Sequence, residues 1–484
     1  MIKRIALSIV FLSIAISCVW AQGAGDTAKP PAQQFVENAA EPASTPVESS
    51  VEPAATMPVE VMKIAEIGMK FDSLNPKGWV MPFPTTGETI TQDFGGIRTA
   101  LAKRHIGFFL MNTGVYWGQS SKGPSVPATA QSYNGQRPTW NANGWYWLTY
   151  NPSPTLQFVF SAAKYHATFY GDGPSATRIG IISFHKELFD GKLVLEGGYK
   201  ENYINYFGMF TGGSIAGSIA PAALIPFEVG ESIDPYATPS LDFKYNFTKK
   251  LYIRSGIQRS LPPSQLLTDK GSANNESLIN RGAGLRFLCK GCKPLFISEV
   301  GYRQEALPGQ KLAFYRVTGF YNRSKFMDYR EVFPNPLKPG LTDNNWGFSI
   351  SGDKQIWQKN KYLPFQGLYV SGTVQYAPPQ QNIYSQYYEV KAYTFGLLPN
   401  RPMDMTTFAI NRENNSNIAL TTLGKVGYGP TYKNLTQVSG GYMVQLMHGL
   451  FINNVLSYTE HPSPFASMSP KKALIWNETF TVYF

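Results

Sequence analysis

From residue 106 to the end of the chain, short segments follow one another in which apolar and polar residues alternate. In the stretch KLVLEGGYK, Leu193 and Leu195 occupy odd positions, whereas Glu196 and Lys200 occupy even positions. Successive side chains of a β-strand point to opposite faces of the sheet. The pattern therefore predicts strands that have one apolar face and one polar face.

The predicted strands have the lengths and spacing of a transmembrane β-barrel. Each is about 8 to 12 residues long, which is what a tilted strand needs to cross a bilayer. Short turns such as Asp190-Gly191 alternate with long loops, as in barrels with short periplasmic turns and long external loops. Sixteen strands over residues 106–484 leave about 24 residues for each strand and its connections, and 18 strands would also fit. The fold class is therefore an all-β, antiparallel transmembrane barrel. The predicted strands in the middle of the chain are 192–200, 240–247, 251–258, 285–288 and 294–303.

The chain ends on an alternating aromatic strand, ETFTVYF. A free edge strand of this kind invites unwanted pairing, but a closed barrel has no edge because its last strand pairs with its first. We therefore predict that Phe480, Val482 and Phe484 face lipid, although Glu478 interrupts this apolar face. A terminal phenylalanine on such a strand also resembles the assembly signal that barrel-assembly machinery reads.

The amino-terminal sequence predicts export to the outer membrane. Residues 1–21 contain two basic residues, an apolar run and a small final residue, the pattern of a cleaved secretory signal. Cys18 leaves a lipoprotein signal open as an alternative. Residues 22–86 are rich in proline, alanine and glutamate and predict a mostly disordered periplasmic arm. Residues 87–105 predict a short helical segment that leads into the barrel of residues 106–484.

Composition and charge argue against several classes of protein. Charged residues make up only 15% of the chain, whereas soluble domains contain about 25%. The net charge of +11 comes from basic residues scattered along the chain, but a nucleic-acid site concentrates them on one surface. We find no nucleophile elbow, nucleotide-binding loop or zinc-protease motif. We therefore expect no nucleic-acid partner, no enzymatic activity, no metal and no cofactor.

Two cysteines follow the predicted signal, Cys289 and Cys292, in the motif Cys-Lys-Gly-Cys. Disulfides form in an oxidising periplasm, so this pair predicts a structural disulfide that pins a turn between strands. Free thiols are the alternative. The five histidines show no ligand spacing that would complete a zinc site.

Charged and aromatic residues at inward-facing positions are the candidates for lining a pore. An arginine or lysine on the lipid face costs about 2–4 kcal/mol at mid-membrane, which drives such residues towards the lumen. Arginine and glutamate around a water-filled constriction can hydrogen-bond sugar hydroxyls, whereas the alternative is that they only brace the barrel wall. The candidates are Glu196, Lys200, Tyr252, Arg254, Glu299 and Arg316.

Four blocks of sequence resemble the carbohydrate-selective porins of the OprB type. The block DFGGIRTALAKRHI is similar to the family's opening motif, with Asp93, Gly95, Gly96 and Arg98 kept and Phe94 in place of tryptophan. Three later blocks resemble the family in the same order: FYRVTGFYNRSKFMDY, GLYVSGTVQYAPPQQN followed by GLLPNRPMD, and GGYMVQLMHGLFINNVLSYTEHP.

This resemblance implies a 16-stranded outer-membrane barrel through which monosaccharide-type sugars diffuse passively. It also implies a pore narrowed by loops that fold inward, for which residues 201–236 are the candidate. Two alternatives stay open: a general or weakly anion-selective porin, and an anchoring or adhesion protein that acts through the arm of residues 22–86. The expected partners are sugars or other small solutes, outer-membrane lipid and barrel-assembly machinery, with monomer and homotrimer both open.

Overall fold

A computed structural model describes most of the chain from residue 59 onward. The described residues are 59–80, 83–120, 131–168, 176–207, 224–233, 236–266, 285–333, 335–360 and 362–484. The predicted signal of residues 1–21, Cys18 and the first part of the predicted arm lie outside the described residues.

Sixteen antiparallel strands form one closed barrel in which sequential strands pair throughout. The prediction of 16 strands is confirmed, and the alternative of 18 is not. A separate short pair, Phe326–Met327 with Leu341–Thr342, lies in the loop between residues 322 and 345. The barrel strands are β1 Ile106–Gln119, β2 Thr139–Ser153, β3 Leu156–Ala167, β4 Ala176–Leu188, β5 Leu193–Lys200, β6 Thr238–Asn246, β7 Leu251–Arg259, β8 Pro294–Gln304, β9 Ala313–Asn322, β10 Asn345–Gln358, β11 Gly367–Tyr376, β12 Tyr384–Phe395, β13 Met405–Asn415, β14 Asn434–Met447, β15 Leu450–Glu460 and β16 Lys472–Tyr483.

The two faces of the barrel follow the alternation in the sequence. On β7, Leu251 and Ile257 are exposed on the outer surface, whereas Tyr252 and Arg254 are buried on the inner side. One predicted strand is wrong, since residues 285–288 form an irregular part of the loop between β7 and β8. These four residues have the composition of a strand, but their backbone pairs with no neighbouring strand among the described residues.

The last strand closes the barrel against the first. β16 pairs with β1 from Met111 opposite Tyr483 to Gln119 opposite Ile475. Beyond the end of β16, the backbone N–H of Phe484 donates to the carbonyl oxygen of Leu110 at 2.9 Å, and the N–H of Leu110 donates back at 3.1 Å. The terminal strand therefore has no free edge.

The outward alternation on β16 runs through Phe480 and Val482, which are half-buried on the outer surface, while Tyr483 is buried inside the barrel. Glu478 lies on the same outward face, opposite Tyr116 of β1. The aromatic ending of the chain is thus part of the seam that closes the barrel.

Among the residues that the structure describes, five short α-helices accompany the barrel: α1 Val59–Phe71, α2 Ile97–Ala102, α3 Tyr203–Tyr206, α4 Leu224–Glu228 and α5 Asn417–Leu423. The predicted disordered arm extends less far than residue 86, because α1 is helical and the residues after it are hydrogen-bonded to barrel strands. In α1, Ile64, Gly68 and Phe71 recur at helical spacing, so these less exposed residues share one side of the helix. An average of composition over residues 22–86 conceals this amphipathic pattern.

The lead-in motif Asp-Phe-Gly-Gly-Ile-Arg positions α2 at the start of β1. Asp93 accepts hydrogen bonds from the backbone N–H of Thr99 at 3.0 Å and from its hydroxyl at 2.5 Å. Gly95 and Gly96 have positive φ angles of 66° and 69°, which glycine adopts without strain. Arg98 donates to the carbonyl oxygen of Phe108 at 2.7 Å and covers its ring. The motif therefore fastens α2 to the first barrel strand.

In the part of the chain that the structure describes, no helix is both long enough and apolar enough to cross a membrane.

Candidate functional site in the barrel lumen

The loop between β5 and β6 enters the barrel. Its described residues include α3 and α4, and Tyr206 and Ile225 on these helices are fully buried. The two ends of the loop are joined, since the backbone N–H of Asn202 donates to the Ser232 hydroxyl at 2.7 Å. This loop coincides with the range 201–236 that the sequence singles out, and its residues 208–223, 234 and 235 lie outside the described part.

Two arginines on the barrel wall hold α3 by its backbone. Arg254 of β7 donates to the carbonyl oxygen of Asn205, and Arg316 of β9 donates to that of Tyr206. Arg316 also donates to the Phe207 carbonyl at 3.4 Å and to the Ser351 hydroxyl at 3.2 Å. The last carbonyls of a short helix have no partner within the helix, so buried guanidinium groups satisfy and position them.

Glu299 of β8 supplies the negative charge beside Arg316. It accepts hydrogen bonds from the hydroxyls of Tyr252 at 2.7 Å and Thr318 at 2.9 Å. The Arg316 guanidinium lies 3.5 Å from the same carboxylate. A buried charge is costly unless it is paired and hydrogen-bonded, and both groups meet this condition.

A second set of charges occupies the inner face of β4, β5 and β6. Lys200 lies 2.9 Å from Asp242 and 3.4 Å from Glu196. Glu196 also accepts from the Asn205 amide at 2.8 Å, so the loop contributes to this set as well. His185 of β4 is 2.8 Å from the other oxygen of Glu196.

All six predicted pore-lining residues thus lie in the lumen and belong to these two connected sets. Every one of them is buried. Their polar groups contact one another or the loop between β5 and β6, so most of their hydrogen-bonding capacity is used inside the protein.

Sequence reasoning missed a group of charged residues on the other half of the barrel, the strands β10 to β16, which we call the opposite wall. Asp353 of β10 and Glu389 and Lys391 of β12 also face inward and are buried. Tyr393 donates to Asp353 at 3.2 Å, and Lys391 lies 3.7 Å from Glu389. The same alternation that identified Arg254 would have found them, because YYEVKAY places Glu389 and Lys391 on the face opposite Val390.

Uncharged polar residues predominate on the rest of this wall, where Glu413 of β13 also faces inward and is buried. Hydroxyl and amide side chains project inward from β11, β13, β14, β15 and β16 where a soluble protein of this size would have an apolar core. Several of these buried side chains have atoms with no hydrogen-bond partner among the described residues, including Thr373, Asn411, Gln437, Asn453 and Thr459. The inner side of this wall is therefore polar, as in a water-filled barrel.

The inward loop carries two glutamates, of which Glu228 is half-buried and Glu231 is buried. Glu228 at the end of α4 accepts from the backbone N–H of Tyr384 at 3.0 Å, which ties α4 to β12. Neither carboxylate oxygen of Glu231 has a hydrogen-bond partner among the described residues. Burial raises the pKa of Glu231 well above its usual range, and the charges of Asp242 and Glu299 raise it further.

The residues after α1 also enter the lumen, at the end of the barrel where β2 and β3 are joined by a short turn. We call residues 73–80 and 83–90 the lumen segment. The Leu74 carbonyl accepts from Thr149 of β2 at 2.5 Å, and the Lys77 N–H donates to Gln157 of β3 at 2.8 Å. Its far end is held by Glu88, which accepts from Gln445 of β14 at 2.6 Å.

Aromatic side chains fix the lumen segment against the wall. Phe83 is buried, and its ring centroid lies 5.0 Å from that of Phe109 and 5.1 Å from that of Trp147. Trp79 stands 4.3 Å from Phe83 and 5.7 Å from Trp147. Edge-to-face pairs at these distances add to the stabilisation that burial alone provides.

The cysteine pair lies outside this network. The structure joins Cys289 and Cys292 by a disulfide, with Cα atoms 5.3 Å apart, in the loop between β7 and β8. Arg259 at the end of β7 lies 3.5 Å from the sulfur of Cys289. The disulfide therefore constrains a loop just before β8, not a hairpin that involves residues 285–288.

A closed barrel with an apolar outer surface, a polar lumen and an inward loop defines the class of outer-membrane porins. The family described as carbohydrate-selective porin, OprB family, matches residues 118–474. The chain therefore belongs to this family, and it is an integral outer-membrane porin. The resemblance noted in four sequence blocks is confirmed.

A solved structure shares this fold. The high-pH structure of Pseudomonas putida OprB is similar with a TM-score of 0.65 and 14% identity, over 85% of this chain and 99% of that chain. The low-pH structure of the same protein gives a TM-score of 0.49 and 13% identity, over 82% of this chain and 98% of that chain. A comparison with curated proteins gives no match.

Proposed function

We propose that this porin lets carbohydrates of monosaccharide size diffuse passively through a water-filled pore with a charged and aromatic constriction. The observation that carries the proposal is the loop between β5 and β6, whose described residues lie inside the barrel and are held there by Arg254 and Arg316. Membership of the carbohydrate-selective family supports sugars as the solute class. Passive diffusion of this kind uses no cofactor.

The two walls of the lumen would have different roles. Glu196, Lys200, Arg254, Glu299 and Arg316 are engaged with one another and with the loop, so we assign them to setting the width and shape of the constriction. The hydroxyl and amide side chains of the opposite wall make its inner side polar, which suits a water-filled lumen through which a sugar can diffuse.

Liposome swelling with purified, refolded protein would test the proposal. Glucose and a charged or larger solute of known size would be compared at equal osmotic strength. Faster entry of glucose than its size predicts would support a sugar-selective constriction, and substitutions at Arg254 and Glu196 should then reduce the preference. Entry that follows size alone would reduce the function to that of a general porin.

Weak anion selectivity is the second candidate, and the net charge favours it, since +11 for the whole chain leaves +9 once Lys3 and Arg4 of the predicted signal are removed. The reversal potential across a planar bilayer under a salt gradient separates the two. A reversal potential near zero fits the sugar pore. A reversal potential shifted towards the equilibrium potential of the anion, by an amount that falls as ionic strength rises, fits the anion-selective porin.

An anchoring or adhesion function through the amino-terminal arm is a third candidate, from a different class. Deletion of residues 22–85 separates it from the porins, because a porin should still conduct ions without the arm. A folded barrel that conducts neither with nor without these residues would favour anchoring.

A further inference from the structure

We infer that the lumen segment, residues 73–80 and 83–90, is a second element of the constriction, which narrows the pore from the periplasmic side. The inference rests on the proposed function, since it assumes that the barrel conducts. It assigns a specificity-determining role to residues that come before the first barrel strand.

The lumen segment and the inward loop contact each other directly. The backbone N–H of Val80 donates to the carbonyl oxygen of Ile204 in α3 at 3.0 Å. Arg254 joins the two as well, because one of its terminal nitrogens donates to Asn205 and the other donates to the Gly78 carbonyl at 3.1 Å. Part of the barrel cross-section is therefore occupied by the lumen segment and the inward loop, which are both bound by Arg254.

The lumen segment spans several strands of the wall. Arg303 of β8 donates to the Val80 carbonyl at 2.9 Å. Lys77 lies 3.1 Å from Glu187 of β4, and the Asn75 carbonyl accepts from Gln157 of β3 at 3.1 Å. Contacts with β3, β4, β7 and β8 place the segment across one side of the periplasmic opening, where a solute that leaves the constriction would meet it.

Gly78 is where the segment comes closest to the predicted pore residues. Its φ angle is +89°, and a Cβ atom there would lie 1.5 Å from Oε1 of Glu196 and 3.1 Å from Nδ1 of His185. A side chain at this position therefore cannot coexist with Glu196 in its present place. Either the Glu196 carboxylate leaves its contact with His185 or the segment shifts, and the positive φ angle strains any residue other than glycine.

Conductance of two truncated porins tests the inference. Deletion of residues 22–58 removes only residues before α1, whereas deletion of residues 22–85 also removes most of the lumen segment. We expect the longer deletion to raise the single-channel conductance roughly twofold over the shorter one, and to weaken any preference for glucose over larger sugars. Equal conductance of the two truncated proteins, both folded as judged by heat-modifiable migration, would overturn the inference.

If the protein with the longer deletion fails to fold, a point substitution tests whether the lumen segment narrows the pore. Gly78→Ala should displace the segment, and Gly191→Ala is the matched control because Gly191 has a similar φ of +76° but open space around its Cβ position. Gly78→Ala should raise the conductance and expose a new tryptic site after Lys77. Conductance equal to or below that of Gly191→Ala would contradict the inference.

These outcomes are distinct from a failure of the proposed function. If the full-length folded protein conducts no ions in a bilayer, then the porin proposal itself fails. If it conducts and neither variant changes conductance, only the role of the lumen segment is wrong.

Discussion

At the scale of single residues, arginine is needed where a backbone must be held from the barrel wall. Arg316 reaches two carbonyls, a hydroxyl and a carboxylate at once, which the planar guanidinium permits and a lysine ammonium does not. The alternation of the strands was enough to predict that Arg254 and Arg316 face inward. Their partners could not be predicted, because Asn205 and Tyr206 lie 49 and 110 residues away in the sequence.

Arg316→Lys should lower the free energy of unfolding by about 1–3 kcal/mol, because bonds from a charged group to buried acceptors are lost while the charge itself remains. The urea dependence of heat-modifiable migration measures this change. Arg412→Lys is the control, since Arg412 lies on the exposed outer face of β13. A loss as large at Arg412 would show that arginine at any barrel position has this effect.

Glu231 predicts a dependence of stability on pH. Its pKa in the folded protein is raised above the ordinary 4.5 by burial and by Asp242 and Glu299. The stability linked to this group is therefore complete below pH 4.5 and is lost as pH rises through the folded pKa. Glu231→Gln should remove this loss, so that unfolding midpoints measured upward from pH 4 decline less than in the natural protein.

The exposed Glu66 of α1 provides the control for that experiment. Glu66→Gln should leave the pH profile of the unfolding midpoint unchanged. A profile that is the same for Glu231→Gln and for the natural protein would show that the buried carboxyl does not govern the stability of the inward loop.

At the scale of elements, strands were predictable because alternation is a local property. The segment 285–288 shows the limit of this approach, since its composition is that of a strand but no neighbouring strand is available to pair with it. The helix α1 was missed for the opposite reason: proline-rich residues before it dominate the composition of the predicted arm. The inward course of the loop was indicated only by resemblance and position, because its contacts are with distant strands.

Lipid-facing positions should tolerate charge according to their depth in the membrane. Val390 lies in the middle of β12 and is 69% exposed on the outer surface. Val390→Lys should destabilise the barrel by about 2–4 kcal/mol, whereas Thr406→Lys near the periplasmic end of β13 should cost about 0–1 kcal/mol. Unfolding of the two variants in the same lipid vesicles measures the difference, and equal effects would mean that Val390 does not face the bilayer interior.

At the scale of the whole molecule, the lumen is asymmetric. The loop between β5 and β6 and the lumen segment both attach to β7, while β11 and β13 to β16 present a wall of hydroxyl and amide groups. Closure of the barrel and its inner face could be predicted from the alternation of the strands. Chain length left 16 and 18 strands both open, and the family resemblance favoured 16. The asymmetry could not be predicted, because it depends on contacts between residues as far apart as Gly78 and Arg254.

The charge of the opposite wall should affect ion selectivity. Lys391→Gln removes a positive charge from the inner face of β12 and should shift the reversal potential towards that of cations. Lys354→Gln removes the same charge from the outer face of β10 and should leave the reversal potential unchanged. The same shift in both variants would indicate an effect of total charge, not of the lumen.

Arg254 and Arg303 hold their partners by main-chain carbonyls, at Asn205, Gly78 and Val80. A carbonyl is present whatever the side chain, so random substitution along the inward loop leaves these attachments in place. Side chains exposed to a passing solute can then drift over evolutionary time without loss of the frame that supports them. In such an arrangement, the solute preference of the pore can change in evolution while the architecture of the pore stays the same.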